Sequence, residues 1–331
     1  MRIAVIAFLP VIAFLLIIPT VAFAIQQVEF EKEFGKEGTG PGHLSEPSDI
    51  AVGTDGYIYV ADKGNKRIHV LTREGVTITM WGRKIGDPFI LEEPSGIAFY
   101  EDKLYVTDSF LNKVLIFSKD GKFIDEFGSA GSGPKQFNNP KGICVHEGII
   151  YVADTGNHRV QAFSIDGIYF GSIGKKGEAV GQMRSPTDVA TDYRGYIYVT
   201  EADNNRIEVF TPSGYHIRCY YDVENPTSIA VYKNVFFVAD TGNHKIKKFD
   251  FSGYLLLSFG IKGDDHAQFR YISGIAIDQD GKVFVSDSKK NTIQIFSPEK
   301  LLVMLPESPP PLNSVKWLND IKVSLSGYGL A

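Results

Sequence analysis

One thirteen-residue segment constrains this chain more than anything else in it. Tyr151 to Phe163 (YVADTGNHRVQAF) returns as Tyr59 to Leu71 (YVADKGNKRIHVL), Tyr105 to Phe117 (YVTDSFLNKVLIF), Tyr198 to Phe210 (YVTEADNNRIEVF), Phe237 to Phe249 (FVADTGNHKIKKF) and Phe284 to Phe296 (FVSDSKKNTIQIF). An acid closes the first half of each copy, at Asp62, Asp108, Asp154, Glu201, Asp240 and Asp287. The step is about 46 residues, with one shortened interval between Glu201 and Asp240. Units of this size and strand-like composition cannot bury an apolar face alone, so they must stack against one another as a propeller or solenoid.

Within a unit the pattern predicts four short strands. A Pro-x-x opening leads into an apolar strand such as Ser95 to Phe99, then come Leu104 to Asp108, Lys113 to Ser118 and Lys122 to Phe127. Asp120-Gly121, Asp166-Gly167, Ser213-Gly214 and Ser252-Gly253 mark tight turns between the third and fourth strands. A small residue recurs in each opening strand (Ala51, Ala98, Cys144, Ala190, Ala230 and Ala276), which suits a strand crowded near a central axis.

Pro-x-Gly-Ile, Tyr-Val-Ala-Asp, Gly-Asn-His-Arg/Lys-Val/Ile and a closing Phe-Gly together resemble the NHL-repeat family over residues 28 to 300. The resemblance implies an all-β fold, a six-bladed β-propeller of four-stranded blades. It implies little about activity, because the family includes scaffolds, RNA binders, sensor domains and a zinc-dependent peptide-amidating lyase.

The sixth unit has no Asp-Gly hairpin after Phe296 and meets Pro298, so its fourth strand must come from elsewhere. Val28 to Gly35 (VEFEKEFG) matches the fourth strand of unit two, Lys122 to Gly128 (KFIDEFG), and is followed by a similar connector. It is expected to close the ring beside Thr292 to Ser297, leaving no free edge there. Leu301 to Leu305 is the competing segment for that slot.

The ends read differently from the repeats. Arg2 is the only charged residue before Glu29, and Ala22-Phe23-Ala24 fits a small-x-small cleavage site. Residues 1–24 are therefore expected to be a signal peptide or, since the apolar run from Ile3 to Ile25 could span a bilayer, an N-terminal membrane anchor. Both place the propeller, 25–300, outside the cytoplasm, secreted or tethered by residues 3–25. Residues 301–331 open with Pro306 to Pro311 (PESPPP) and read as a proline-rich linker and C-terminal tail.

The charge balance argues against nucleic acid. The chain has 34 Lys plus Arg against 39 Asp plus Glu, and loss of Arg2 with the leader would leave 33 against 39. A nucleic-acid footprint needs a basic excess or stripe. The expected partner is a protein, peptide or glycan, met by a monomer, with membrane contact only through the N-terminal segment. Cys144 and Cys219 fall in different units and are expected to be free thiols.

Five copies set a base five residues after the acid: Asp62/Arg67, Asp108/Lys113, Asp154/Arg159, Glu201/Arg206 and Asp240/Lys245. Five equivalent pairs cannot all be catalytic, so cross-hairpin ion pairs are expected. The histidines show no metal spacing: His158 and His244 fill one turn position, His43 stands where other connectors carry Gln136, Gln182 and Gln268, and His69 replaces Gln161 on an outer polar face. In the amidating lyases, as the resemblance implies, axial histidines hold zinc. Here the axial positions are Ser48, Ser95, Lys141, Thr187, Thr227 and Ser273. No cofactor is expected, and calcium is the alternative use of Asp49 and Asp188, which face each other across a six-fold ring. Their plainer role is to bond local backbone amides.

Connectors and the turns between strands two and three should share one face, since antiparallel strands reverse at each step. Ser48, Asp49, Lys141, Asp188 and Thr227 are the ligand-binding candidates near the axis. Tyr220 and Tyr221 join them beside the shortened connector Tyr220 to Pro226, where a notch is expected. The leading reading is an exported, non-enzymatic binding or scaffold propeller. The alternatives are a metal-dependent lyase or hydrolase at the channel mouth and a membrane-anchored sensor domain.

Overall fold

The computed structural model describes residues 25–82, 91–297 and 300–302, and these form two units. The leader, the PESPPP linker and the C-terminal tail lie outside the described residues. In the smaller unit Ile25–Gln27 pairs antiparallel with Lys300–Leu302.

The larger unit, Val28–Glu299, is all-β and holds six four-stranded antiparallel blades. Blade 1 is Pro47–Val52, Ile58–Asp62, Arg67–Leu71 and Thr77–Trp81. Blade 2 runs Pro94–Tyr100, Lys103–Asp108, Lys113–Ser118 and Phe123–Phe127. Blade 3 is Pro140–His146, Ile149–Asp154, Arg159–Ser164 and Tyr169–Ile173. Blade 4 comprises Pro186–Thr191, Ile197–Glu201, Arg206–Phe210 and His216–Tyr220, and blade 5 Pro226–Tyr232, Val235–Asp240, Lys245–Asp250 and Leu255–Phe259. Blade 6 takes Ile272–Ile277, Val283–Asp287 and Thr292–Phe296 from its own repeat and Phe30–Phe34 from the N-terminal region.

Closure therefore follows the sequence match: Phe30 faces Phe296 and Phe34 faces Ile293 across the ladder. The rival segment does not fill that slot, because its described part, up to Leu302, pairs with Ile25–Gln27 instead. The Thr292–Phe296 strand ends two positions before Pro298 in the sequence, a residue that cannot donate to a ladder.

Period-two alternation sends one face of each blade toward the blade before it and the other toward the blade after it, so the core is divided into six clusters, one per interface. Phe117 and Trp81 share the cluster between blades 1 and 2, Phe137 and Phe163 the next, and Met183 and Phe210 the third. Phe236 and Phe249 lie between blades 4 and 5, Phe269 and Phe296 between 5 and 6, and Phe284 and Leu44 between 6 and 1. Each of these large side chains contributes roughly 1.5–3 kcal/mol on burial.

The expected turns are present, with Gly121, Gly167, Gly214 and Gly253 at positive φ between the third and fourth strands. One sequence expectation fails on burial. The third-strand residues His69, Gln161, Glu208 and Gln294 are all fully buried, so this is no outer polar face. They face the connectors: Gln161 accepts from the Lys135 amide and donates to the Gln136 carbonyl, and Gln294 does the same with Ala267 and Gln268. Burial pushes the His69 imidazole down to about 4, and its Nε2 lies 2.8 Å from the Thr77 hydroxyl.

Candidate functional site

The recurrent acid holds the connectors in place. In every blade it accepts the amide of a residue just before the inner strand: Ser45 to Asp62, Glu92 and Glu93 to Asp108, Asn138 to Asp154, Arg184 to Glu201, Glu224 to Asp240 and Arg270 to Asp287. Three of the five predicted ion pairs form, Arg67 with Asp62 at 2.7 Å, Arg159 with Asp154 at 2.8 Å and Arg206 with Glu201 at 2.8 Å. The other two do not. Lys113 turns to Glu126, and Asp240 takes Lys247 at 3.1 Å rather than Lys245. Asp108 instead accepts the Phe110 and Leu111 amides of its own turn, which leaves it no need of a base.

A second ring of bonds ties the inner strands together. Ser48 donates to the Pro94 carbonyl at 2.7 Å, Thr107 to that of Lys141, Thr155 to Pro186 at 2.7 Å, Thr187 to Pro226 at 2.8 Å, Thr227 to Ile272 at 2.8 Å and Ser273 to Pro47 at 2.6 Å. At least one hydroxyl thus bridges every pair of adjacent blades, and between blades 5 and 6 Thr241 reaches the same Ile272 carbonyl at 3.0 Å. Ser48 has its single proton committed to this ring, while the Thr227 and Thr241 hydroxyls share one mutual bond and the Ile272 carbonyl, and either can be the donor of the first.

Asp49 and Asp188 act one residue further in. Asp49 accepts the Ile97 amide of blade 2 at 2.9 Å. Asp188 accepts its neighbour Val189 at 2.8 Å, and from blade 5 the Ile229 amide at 2.9 Å and the Ser228 hydroxyl at 2.8 Å. Each carboxylate also leans over the glycine of the preceding blade. A Cβ on Gly142 would come within 2.1 Å of Asp188 Oδ1, and one on Gly274 within 2.5 Å of Asp49 Oδ1. Burial, with mutual repulsion across the axis, holds the Asp49 carboxyl well above the usual range; burial pushes Asp188 up to about 6. Amide bonding, the plainer of the two roles expected for this pair, is what the geometry displays.

Above these strands opens a cavity of about 1020 Å³. Connectors and strand two to three turns both line it, the arrangement expected from strand reversal. Ser48, Asp49, Lys141, Asp188 and Thr227 are brought together there, with Lys63, Asp203 and Lys289 among its wall residues. Lys141 is the distinctive group. Among the described residues its ammonium has no hydrogen-bond or ion-pair partner; the side chain is solvent-accessible, and its recessed place with nearby Lys63 lowers its pKa against the opposing pull of Asp203.

Tyr220 and Tyr221 do not line this cavity. Tyr220 packs on Phe236 and donates to the Phe251 carbonyl at 2.8 Å, because it occupies the inward fourth-strand position that Trp81, Phe127, Ile173 and Phe259 fill in other blades. Tyr221 is exposed, with its hydroxyl near the Cys219 thiol. An aromatic that sequence reasoning missed is Phe110, 66% exposed in the turn between strands two and three of blade 2. Its signal was available: Gly64, Gly156 and Gly242 fill the same place in three other copies.

Comparisons with known proteins agree with this architecture. The family model described as a 6-bladed beta-propeller matches residues 86–170, and the NHL repeat model matches 44–71 and 269–296. A stretch of 57 residues is 44% identical to E3 ubiquitin-protein ligase TRIM32 of Homo sapiens, covering 17% of this chain and only 9% of that protein. Streptogramin B lyase superposes with a TM-score of 0.58 at 16% identity over 81% of this chain and 98% of that one. A nidogen/laminin complex chain gives 0.57 at 18% identity, over 71% and 93%. A catalytically inactive virginiamycin B lyase from Staphylococcus aureus with quinupristin gives 0.57 at 17% identity, over 83% and 90%. These likenesses between structures concern the fold alone.

Proposed function

The chain is a six-bladed β-propeller carrying NHL repeats, and on that premise we propose that it is an exported binding module that receives its partner at the axial cavity. The unpaired Lys141 ammonium on the cavity floor carries the proposal. A solvent-accessible cation lining a polar cavity, with no ion-pair partner among the described residues, favours a ligand that brings an anion. The partner class that fits is a protein segment or peptide presenting an acidic group, with Phe110 on the same face as an aromatic contact. A glycan bearing a carboxylate meets the same chemistry and is the second outcome of the test. The NHL repeats, shared over 57 residues with a ubiquitin ligase, support a binding role. Export rests on Ala22-Phe23-Ala24 and the apolar run before it.

The test is to probe peptide and glycan arrays with the purified protein. Binding of acidic sequences that is lost in Lys141→Ala and reduced in Phe110→Ala is expected. Binding that survives Lys141→Ala, or that selects neutral ligands, overturns the assignment.

A further inference from the structure

A second cluster, on the outer two strands of blade 4, is unrelated to the axial cavity. Glu208 lies on Arg206–Phe210, and His216 and Cys219 on His216–Tyr220. Residues three apart on a regular strand point to opposite faces. Here His216 pairs with Phe210 while Arg218 pairs with Val209, so Ile217 is the extra residue of a β-bulge, and His216 and Cys219 reach the same face. Cys219 sits directly opposite Glu208 in the ladder.

The three donor atoms converge. His216 Nε2 is 3.3 Å from Cys219 Sγ, Cys219 Sγ is 3.5 Å from Glu208 Oε1, and His216 Nε2 is 3.9 Å from Glu208 Oε1. A tetrahedral zinc ion bound by one sulfur, one nitrogen and one oxygen would set its donors about 3.3–3.6 Å apart, from the usual bond lengths. To meet that, the nitrogen–oxygen edge must close by about 0.5 Å and the two edges to sulfur must open by about 0.1–0.3 Å, within reach of side-chain rotation.

Charge argues the same way. Glu201 and Glu208 are both fully buried and share one guanidinium, Arg206, at 2.8 and 3.0 Å. The place of Glu208 is taken elsewhere by His69, Leu115, Gln161, Lys247 and Gln294, so only blade 4 adds a second acid there. Glu208 Oε2 is buried with no hydrogen-bond partner. Oε1, the oxygen of the triangle, already accepts the Gly181 amide at 2.9 Å, so an ion would use its remaining lone pair and could be joined by the unsatisfied Oε2 on a small rotation of the carboxylate. With a divalent cation and the Cys219 thiolate in place, three anions face one guanidinium and two metal charges, and the cluster is neutral.

We propose that Glu208, His216 and Cys219 form a binding site for one zinc-type divalent cation on the outer edge of blade 4. The mixed sulfur, imidazole and carboxylate set suits zinc over calcium or magnesium. His216 is 22% exposed at its side chain, which gives the ion a path from solvent and leaves the fourth position to water. With three protein ligands the site is open rather than closed.

Cobalt(II) is the probe. Added to the EDTA-stripped, reduced full-length protein, it should bind one ion per chain and show the near-ultraviolet absorption of a cobalt–thiolate bond, which zinc then displaces. Cys219→Ser should abolish that absorption and Cys144→Ser should leave it. Glu208→Gln places the residue of blades 3 and 6 at this position, so it should fold normally while binding at least tenfold more weakly. Zinc should raise the melting temperature of the wild type and not that of Cys219→Ser. Absence of stoichiometric cobalt, absorption that survives Cys219→Ser, or a wild-type melting temperature indifferent to zinc would each overturn the site.

Discussion

Replacing Asp188 by alanine separates the two effects that this side chain combines. The carboxyl receives three donors, the Val189 and Ile229 amides and the Ser228 hydroxyl, and truncation orphans all of them. At about 1 kcal/mol each, the low end because cavity water can reach the site, the loss is about 3 kcal/mol. Against it stands the cost of ionising a buried acid. With a folded pKa of about 6 against an ordinary 3.8, the native state forfeits about 3 kcal/mol as pH rises through 6. A raised acid pKa means stability fully present below the unfolded value and lost above the folded one. Alanine has no such penalty, and removal of Asp188 also relieves Asp49 of its repulsion, which acts with the same sign. Urea denaturation followed by circular dichroism should therefore show a destabilisation of about 3 kcal/mol near pH 4 that shrinks toward zero near pH 8. A destabilisation that grows with pH would mean that the ionised carboxylate is the preferred form, and the reasoning would fail.

Three further outcomes follow from the same geometry. Gly142→Ala sets a methyl group 2.4 Å from the Asp188 Cα, backbone that cannot turn aside, and should lower the melting temperature by an amount equivalent to at least 1–3 kcal/mol. Removal of residues 25–35 takes Phe30 and Phe34 from two core clusters and the fourth strand from blade 6; a loss of several kcal/mol is expected, and an unchanged melting temperature would refute closure by this strand. Mass spectrometry of the protein from its native host should find Ile25 as the first residue, whereas intact residues 1–24 would favour the anchor.

Much of the architecture was legible because repetition averages out local noise. Six copies of one segment gave the blades, and the match of Val28–Gly35 to Lys122–Gly128 gave the closing strand. The acid's true duty was also visible: Asp287 persists where its expected base has become Thr292, so what every copy retains is the amide acceptor. The hydroxyl ring was not legible, because its members change strand. Blade 3 offers Lys141 where others offer a hydroxyl, and Thr155 from the next turn substitutes; in blade 2, Ser95 turns to the Glu93 carbonyl and Thr107 takes the bridge. The glutamate, histidine and cysteine of blade 4 were hidden by a bulge, which breaks the parity that sequence spacing relies on. That Tyr220 turns inward was legible from the repeat, since Trp81, Phe127, Ile173 and Phe259 hold the same register position in other blades.

The central claim is that recognition occurs at the axial cavity through Lys141. Calorimetric titration of the tightest array ligand into wild type, Lys141→Glu and Asp166→Arg tests it most directly, Asp166 lying in a turn between strands three and four on the opposite face. The account predicts at least a tenfold loss of affinity for Lys141→Glu at an unchanged melting temperature, and wild-type affinity for Asp166→Arg. Wild-type affinity in Lys141→Glu together with lost binding in Asp166→Arg would contradict it.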